Sequence, residues 1–217
     1  MYYNINDILP FVDNYEFLEF FSSNEEDDFI SSVRAEEDFD WNDGASKLVV
    51  IPEKLDYVIK IPFNSIYNIR YGDYTDMSQD YCTSEMELYE KVKKENPLFA
   101  NLLLPLTYVE EFTKYDIYIQ SKCVTFLDSS VAERKSSYSK ESLEKYKSSS
   151  LHKFNRLPEE WMAAVFEYLG SEKLVQEFLN VLEKYDITQD LHNNNIGYVN
   201  GFPVILDYGS FYDSYDD

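Results

Sequence analysis

The spacing of apolar positions along the chain changes several times, and each change predicts an element. Ile8, Phe11, Val12, Tyr15, Leu18 and Phe21 recur at near-helical spacing. They predict a short amphipathic helix within residues 2–21 that opens near Asn6 or Asp7. Residues 22–28, Ser-Ser-Asn-Glu-Glu-Asp-Asp, have nothing to bury and read as a loop. Residues 29–40 are acidic and ambiguous, with an extended strand into Trp41 as one reading. The apolar runs 48–51 and 57–61 read as strand, turn, strand around residues 52–56, and 62–80 as a loop insertion. Over 80–94 the period becomes helical, with Cys82, Met86, Tyr89 and Val92 as the apolar row and Pro97 as the stop. Residues 102–108 and 117–119 read as two further strands.

Two helices are predicted in the last third. Pro158 opens the first, whose buried side is Trp161, Val165, Phe166 and Leu169 and whose end is Gly170. Ser171 caps the second, which runs to about Tyr185. The apolar runs 196–199 and 204–206 then flank Asn200-Gly201, a dipeptide that favours a two-residue hairpin. The whole reads as an α+β chain.

The chemistry gathers around that hairpin. Folding it back brings Asn195 and Asp207 side by side, with Asp190 on the loop just before. An Asn and an Asp at a hairpin mouth, beside a second Asp, form an oxygen-donor set suited to Mg²⁺, and Mg²⁺ in turn holds phosphates. The plain alternative is an acidic hairpin, since Asp and Asn are common in turns.

The stretch 190–209 reads D-L-H-N-N-N-I-G-Y-V-N-G-F-P-V-I-L-D-Y-G. It resembles the catalytic and metal-binding loops of the protein-kinase-like superfamily, whose pattern is D-x-x-x-x-N, a hairpin, then D-F-G. The D-L-H-x-x-N-I-G wording is closer to the bacterial, small-molecule-kinase-like branch. The resemblance implies a two-lobed protein-kinase-like fold with a small antiparallel-sheet N-lobe and a truncated, mostly helical C-lobe. It places the N-lobe, with an acidic extension, at 1–119, a hinge at 120–127 and a minimal C-lobe at 128–217. By the same resemblance Asp190 orients the acceptor hydroxyl, and Asn195 and Asp207 are Mg²⁺ ligands.

The N-terminal half supplies matching candidates. Val58-Ile59-Lys60 resembles the family's V-A-I-K, which makes Lys60 the lysine on the ATP phosphates. On its own, Lys60 also reads as an edge-strand lysine with its head in water. Glu85 is the expected partner of that lysine and Glu87 the runner-up. The family's Gly-rich loop is absent, and only Gly44 remains. Backbone amides near 45–46, the Ser46 hydroxyl and Lys47 are the candidates for holding phosphate there. Residues 120–124 fall where the fold has its adenine-binding hinge, so Gln120 and Lys122 join the cofactor-binding set. Thr188-Gln189 stands in place of the His-Arg or His-Gly that precedes the family's Asp. Eight residues follow Gly209, which implies a minimal C-lobe without a peptide-binding activation segment.

Charge changes the picture of partners. There are 41 acids against 19 bases, a net charge of -22. That argues against wrapping a nucleic acid and against an anionic membrane surface. Residues 128–157 run against the trend, with seven bases, four acids and nine serines. They read as a solvated linker, a partner-binding arm or a helix pair. Two cysteines suit a reducing cytosol. No apolar run reaches membrane-spanning length, and the N-terminus lacks the pattern of a signal peptide.

The expectation is therefore a cytoplasmic ATP- and Mg²⁺-dependent kinase acting on a protein or small-molecule hydroxyl. Two alternatives stand beside it: an inert pseudokinase serving as an interaction module, and an acidic decoy that occupies a basic partner. The size and acidity would suit a phage product.

Overall fold

A computed structural model describes residues 3–12, 39–43, 47–62, 81–111, 116–153 and 157–209. Among them are seven α-helices and two antiparallel sheets, a mixed α+β architecture. The chain divides into two compact units. The first comprises Met1–Cys82 and Leu106–Lys122, the second Thr83–Pro105 and Cys123–Asp217.

In the first unit, five strands form one sheet: β1 (Phe39–Asp43), β2 (Lys47–Pro52), β3 (Tyr57–Pro62), β4 (Leu106–Tyr108) and β5 (Tyr118–Ser121), in the order β1-β2-β3-β5-β4. Helix α1 (Ile5–Val12) contributes Ile8, fully buried, to its core. Alternation along each strand separates two faces. One face carries Leu48, Val50, Tyr57, Ile59, Ile61 and Ile119, which join Ile8, Val109 and Ile117 in a single apolar cluster. The other carries Lys47, Val49, Val58, Lys60, Tyr118 and Gln120, as the strand register requires.

The second unit is mostly helical. Helix α2 (Tyr81–Glu95) begins at the boundary, and α3 (Pro97–Ala100) follows it. Then come β6 (Val124–Thr125), α4 (Val131–Ser136), α5 (Lys140–Ser148), α6 (Glu159–Leu169), α7 (Glu172–Lys184), β7 (Ile196–Val199) and β8 (Phe202–Ile205). The unit has its own core, in which Leu88 and Val92 of α2 pack with Trp161, Val165, Phe178, Leu182 and Ile205. This explains why residues 83–105 belong with the second unit, whereas the sequence pattern assigned them to a first lobe ending at 119. Their apolar side is buried in the second core.

Several predicted boundaries hold. Gly170 ends α6 in the left-handed conformation, and the Ser171 hydroxyl accepts from the Leu174 amide at the start of α7. Asn200 and Gly201 both have positive φ, 52° and 79°, as a type I′ hairpin turn requires.

Others need correction. The expected strand over 102–108 is interrupted by Pro105, which has no amide proton for a ladder. Its first part bridges to Ile205 through Leu103, and only Leu106–Tyr108 forms a strand. The buried row of α2 is Cys82, Glu85, Leu88 and Val92, with Met86 and Tyr89 only partly covered. The linker reading of 128–157 gives way to helices α4 and α5, because Ser130 and Ser139 cap them. Ser130 and Glu133 form a reciprocal capping box, and the Ser139 hydroxyl accepts from the Ser142 amide. No described helix is long and apolar enough to cross a membrane.

Candidate functional site

In the second unit, the site is built on the β7–β8 hairpin. A 3₁₀ turn, Ile187–Asp190, is anchored by the buried Ile187 and delivers Asp190 to the start of the loop. The loop closes on itself through side-chain and backbone bonds. The Asn195 side-chain amide donates to the Asp190 carbonyl at 2.9 Å and to its Oδ2 at 3.2 Å. The Asn195 backbone amide donates to the His192 carbonyl at 2.9 Å. Asn195 is 8 % exposed, so its orientation is set by the fold. With its Nδ2 committed to Asp190, its Oδ1 is the atom that can face a cation.

Across the hairpin mouth, the Leu206 amide donates to the Asn195 carbonyl at 2.9 Å, which seats Asp207 next to Asn195. Asp207 has φ 55°, a left-handed conformation that a residue with a Cβ adopts at a cost. Backbone strain of this kind collects at functional sites. The Asp207 amide donates to Glu85 Oε1 at 3.3 Å, and Glu85 is fully buried. Glu87, the runner-up for the inward carboxylate, is exposed.

Two side chains to which the sequence pattern assigned no role also belong to the site. His192 accepts the Asn194 amide proton on Nδ1 at 3.2 Å, which puts its own proton on Nε2, 3.7 Å from Asp190 Oδ1. Its position two residues after Asp190 was the available signal. Tyr208 is buried, and its hydroxyl donates to the Leu104 carbonyl at 3.1 Å. Burial, then the nearby Glu85 carboxylate, hold its pKa well above the ordinary phenol value.

In the first unit, Lys60, Lys47 and Gln120 share the sheet face opposite the α1 core. Lys60 lies directly across from Val49 and Tyr118, and Gln120 across from Val58 and Leu106. Lys47 pairs with Pro62, so it is diagonal to Lys60, about 7–8 Å apart in an ordinary antiparallel pair. The snorkelling alternative for Lys60 does not fit. β3 is flanked by strands on both sides, and Lys60 is 2 % exposed. A buried ammonium is tolerable only beside anionic oxygen, which a carboxylate or a phosphate supplies equally well.

The remaining candidates are placed differently. Gln120 lies within strand β5, paired between β3 and β4, rather than in connecting chain. Lys122 folds onto the β2–β3 turn. Its amide donates to the Asp56 carbonyl, and its ammonium to the carbonyls of Pro52 and Glu53. Ser46 lies outside the described residues.

Asp190, Asn195 and Asp207 offer oxygen atoms alone, which fits a hard cation such as Mg²⁺. Among the described residues no cluster of three or more His, Cys, Asp or Glu side chains is arranged to hold a metal. A Mg²⁺ ion held by one or two protein oxygens takes its remaining ligands from water or phosphate. The chain matches no protein-family model and no curated protein.

Proposed function

We propose that this chain is a kinase-like phosphotransferase that moves the γ-phosphoryl group of ATP to a hydroxyl of a protein or small-molecule acceptor. One observation carries the reading. A single hairpin mouth gathers Asp190, Asn195 and a strained Asp207, with the Asn195 amide fastened to Asp190.

Asn195 Oδ1 and the Asp207 carboxylate would hold Mg²⁺, which would neutralise phosphate charge. Asp190 would accept a hydrogen bond from the acceptor hydroxyl and aim its oxygen at the γ-phosphorus. The new P–O bond forms as the bond to the bridging oxygen of ADP breaks. The hydroxyl proton passes to the Asp190 carboxylate and on to water. Lys60, with Lys47 on the same face of its sheet, is assigned to phosphate oxygens. Catalysis of this kind comes from positioning and charge neutralisation. Cys82 and Cys123 are not joined in a disulfide, in keeping with a reducing cytosol as the compartment.

Asp190→Ala tests the reading. Transfer to acceptor, or ATP turnover, falls by at least about a hundredfold, the usual contribution of a positioned proton-transfer group. Mg²⁺·ATP binding persists. Turnover that survives the substitution removes Asp190 from the mechanism.

A second reading is favoured by the first unit. Only Gly44 is available for a Gly-rich phosphate loop, and Lys122 is committed to the β2–β3 turn. On that reading the chain binds nucleotide without turning it over and acts as an interaction module. ATP binding without hydrolysis or transfer, unchanged in Asp190→Ala, is its signature.

A further inference from the structure

Residues 102–104 act as a fixed edge for the turn that contains Asp207. The Ile205 amide donates to the Leu102 carbonyl at 2.7 Å, and the Leu104 amide to the Ile205 carbonyl at 2.8 Å. These bonds anchor the chain just before Asp207. Just after it, the Tyr208 hydroxyl donates to the Leu104 carbonyl at 3.1 Å. The same three-residue segment therefore grips both sides of Asp207. Between the grips, Asp207 is held in its left-handed conformation, and its amide is taken by Glu85 Oε1.

A phenylalanine at position 208 would fill the same space and lose one of the two grips. The tyrosine places a hydroxyl where Tyr208 is 3 % exposed, and the Leu104 carbonyl offsets the cost of burying it there.

We propose that Tyr208 is a positioning residue. Its hydroxyl on Leu104, together with Glu85 on the Asp207 amide, holds the Asp207 carboxylate in its cation-facing conformation before any ligand arrives. The proposal rests on the reading of Asp207 as a Mg²⁺ ligand.

Tyr208→Phe in the full chain tests it with two readouts. The first is amide hydrogen exchange over residues 206–208, with 196–199 as the internal reference. The second is the Mg²⁺ concentration giving half of the ATP-induced thermal stabilisation. Loss of one buried hydrogen bond predicts exchange about five- to tenfold faster at 206–208 and unchanged over 196–199. The Mg²⁺ half-point rises by a similar factor. Unchanged exchange at 206–208 overturns the proposal, and so does an equal rise over 196–199, which marks a general loosening. A wild type that ignores Mg²⁺·ATP overturns the phosphotransfer reading and, with it, the role of Tyr208 in cation binding. A responsive wild type with an unchanged Mg²⁺ half-point in Tyr208→Phe overturns the positioning role alone.

Discussion

Gly197, in the strand that leads out of the candidate loop, has no room for a side chain. A Cβ built there would lie 2.4 Å from the Val124 carbonyl oxygen, 2.6 Å from Cys123 Sγ and 2.9 Å from Thr125 Cα. Two of these atoms are backbone in β6, paired with β7 at Val124–Tyr198 and Thr125–Gly197, and they cannot rotate away. In Gly197→Ala, β6 must retreat by about 1 Å to restore ordinary contact. Overpacking of this kind costs about 1–3 kcal/mol. The retreat also strains the bond from the Phe126 amide to the Ile196 carbonyl, 2.8 Å, worth about 1 kcal/mol. Together they give about 2–4 kcal/mol, a fall in Tm of roughly 5–15 °C for a chain of this size. Gly201→Ala is the control. Its φ is 79° with nothing within 4 Å of the added Cβ, so the cost is conformational alone, about 1–2 kcal/mol. Circular dichroism melts and urea titrations of both variants measure the difference. If Gly197→Ala melts within about 1 °C of wild type, or above Gly201→Ala, the packing argument fails.

Trp161 is fully buried and its indole N–H donates to the Gly197 carbonyl at 3.3 Å, so Trp161→Phe should cost about 1–3 kcal/mol in urea unfolding. Glu167 accepts the Ser139 hydroxyl at 2.5 Å and its amide at 3.0 Å, and these bonds lower its pKa from the usual 4.5. Its stabilising contribution is complete above pH 4.5 and is lost as pH falls through the lowered value, so Glu167→Gln should flatten the acid limb of a stability-against-pH curve. An acid limb as steep as that of wild type would exclude this carboxylate as a source. Lys60→Met keeps the volume of a buried side chain and removes its charge. It should abolish ATP-dependent stabilisation with the fold intact by circular dichroism, and ATP binding of wild-type strength would release Lys60 from its assignment.

The hairpin was legible because its turn chemistry is local. Asn200-Gly201 both take positive φ, and the spacing around them places Asn195 and Asp207 at one mouth. The helix ends at Gly170 and Ser171 were legible for the same reason. The pair of helices over 131–148 was readable in principle. Ser130 followed by Glu133 is a capping box, but the weak apolar pattern behind it hid the signal. Other features arise only from tertiary pairing. Gln120 looked like connecting chain because nothing in its neighbourhood shows that β3 and β4 pair on either side of it. The break at Pro105 was visible as a proline, whereas the bridge from Leu103 to Ile205 joins positions about a hundred residues apart. Glu87 is exposed on α2, whereas Glu85 lies fully buried. Its bond to the Asp207 amide, and the hold of Tyr208 on Leu104, depend on long-range packing that no local pattern announces.

The central claim is that Asn195 and Asp207 present a cation to a nucleotide. Thermal melting of wild type and Asp207→Ala, each with ATP in the presence and absence of Mg²⁺, tests it most directly. Saturation at about a hundred times Kd adds roughly 2.7 kcal/mol to wild type, a rise of several degrees that requires Mg²⁺ and disappears in Asp207→Ala. No Mg²⁺-dependent rise in wild type, or an equal rise in Asp207→Ala, would contradict the account.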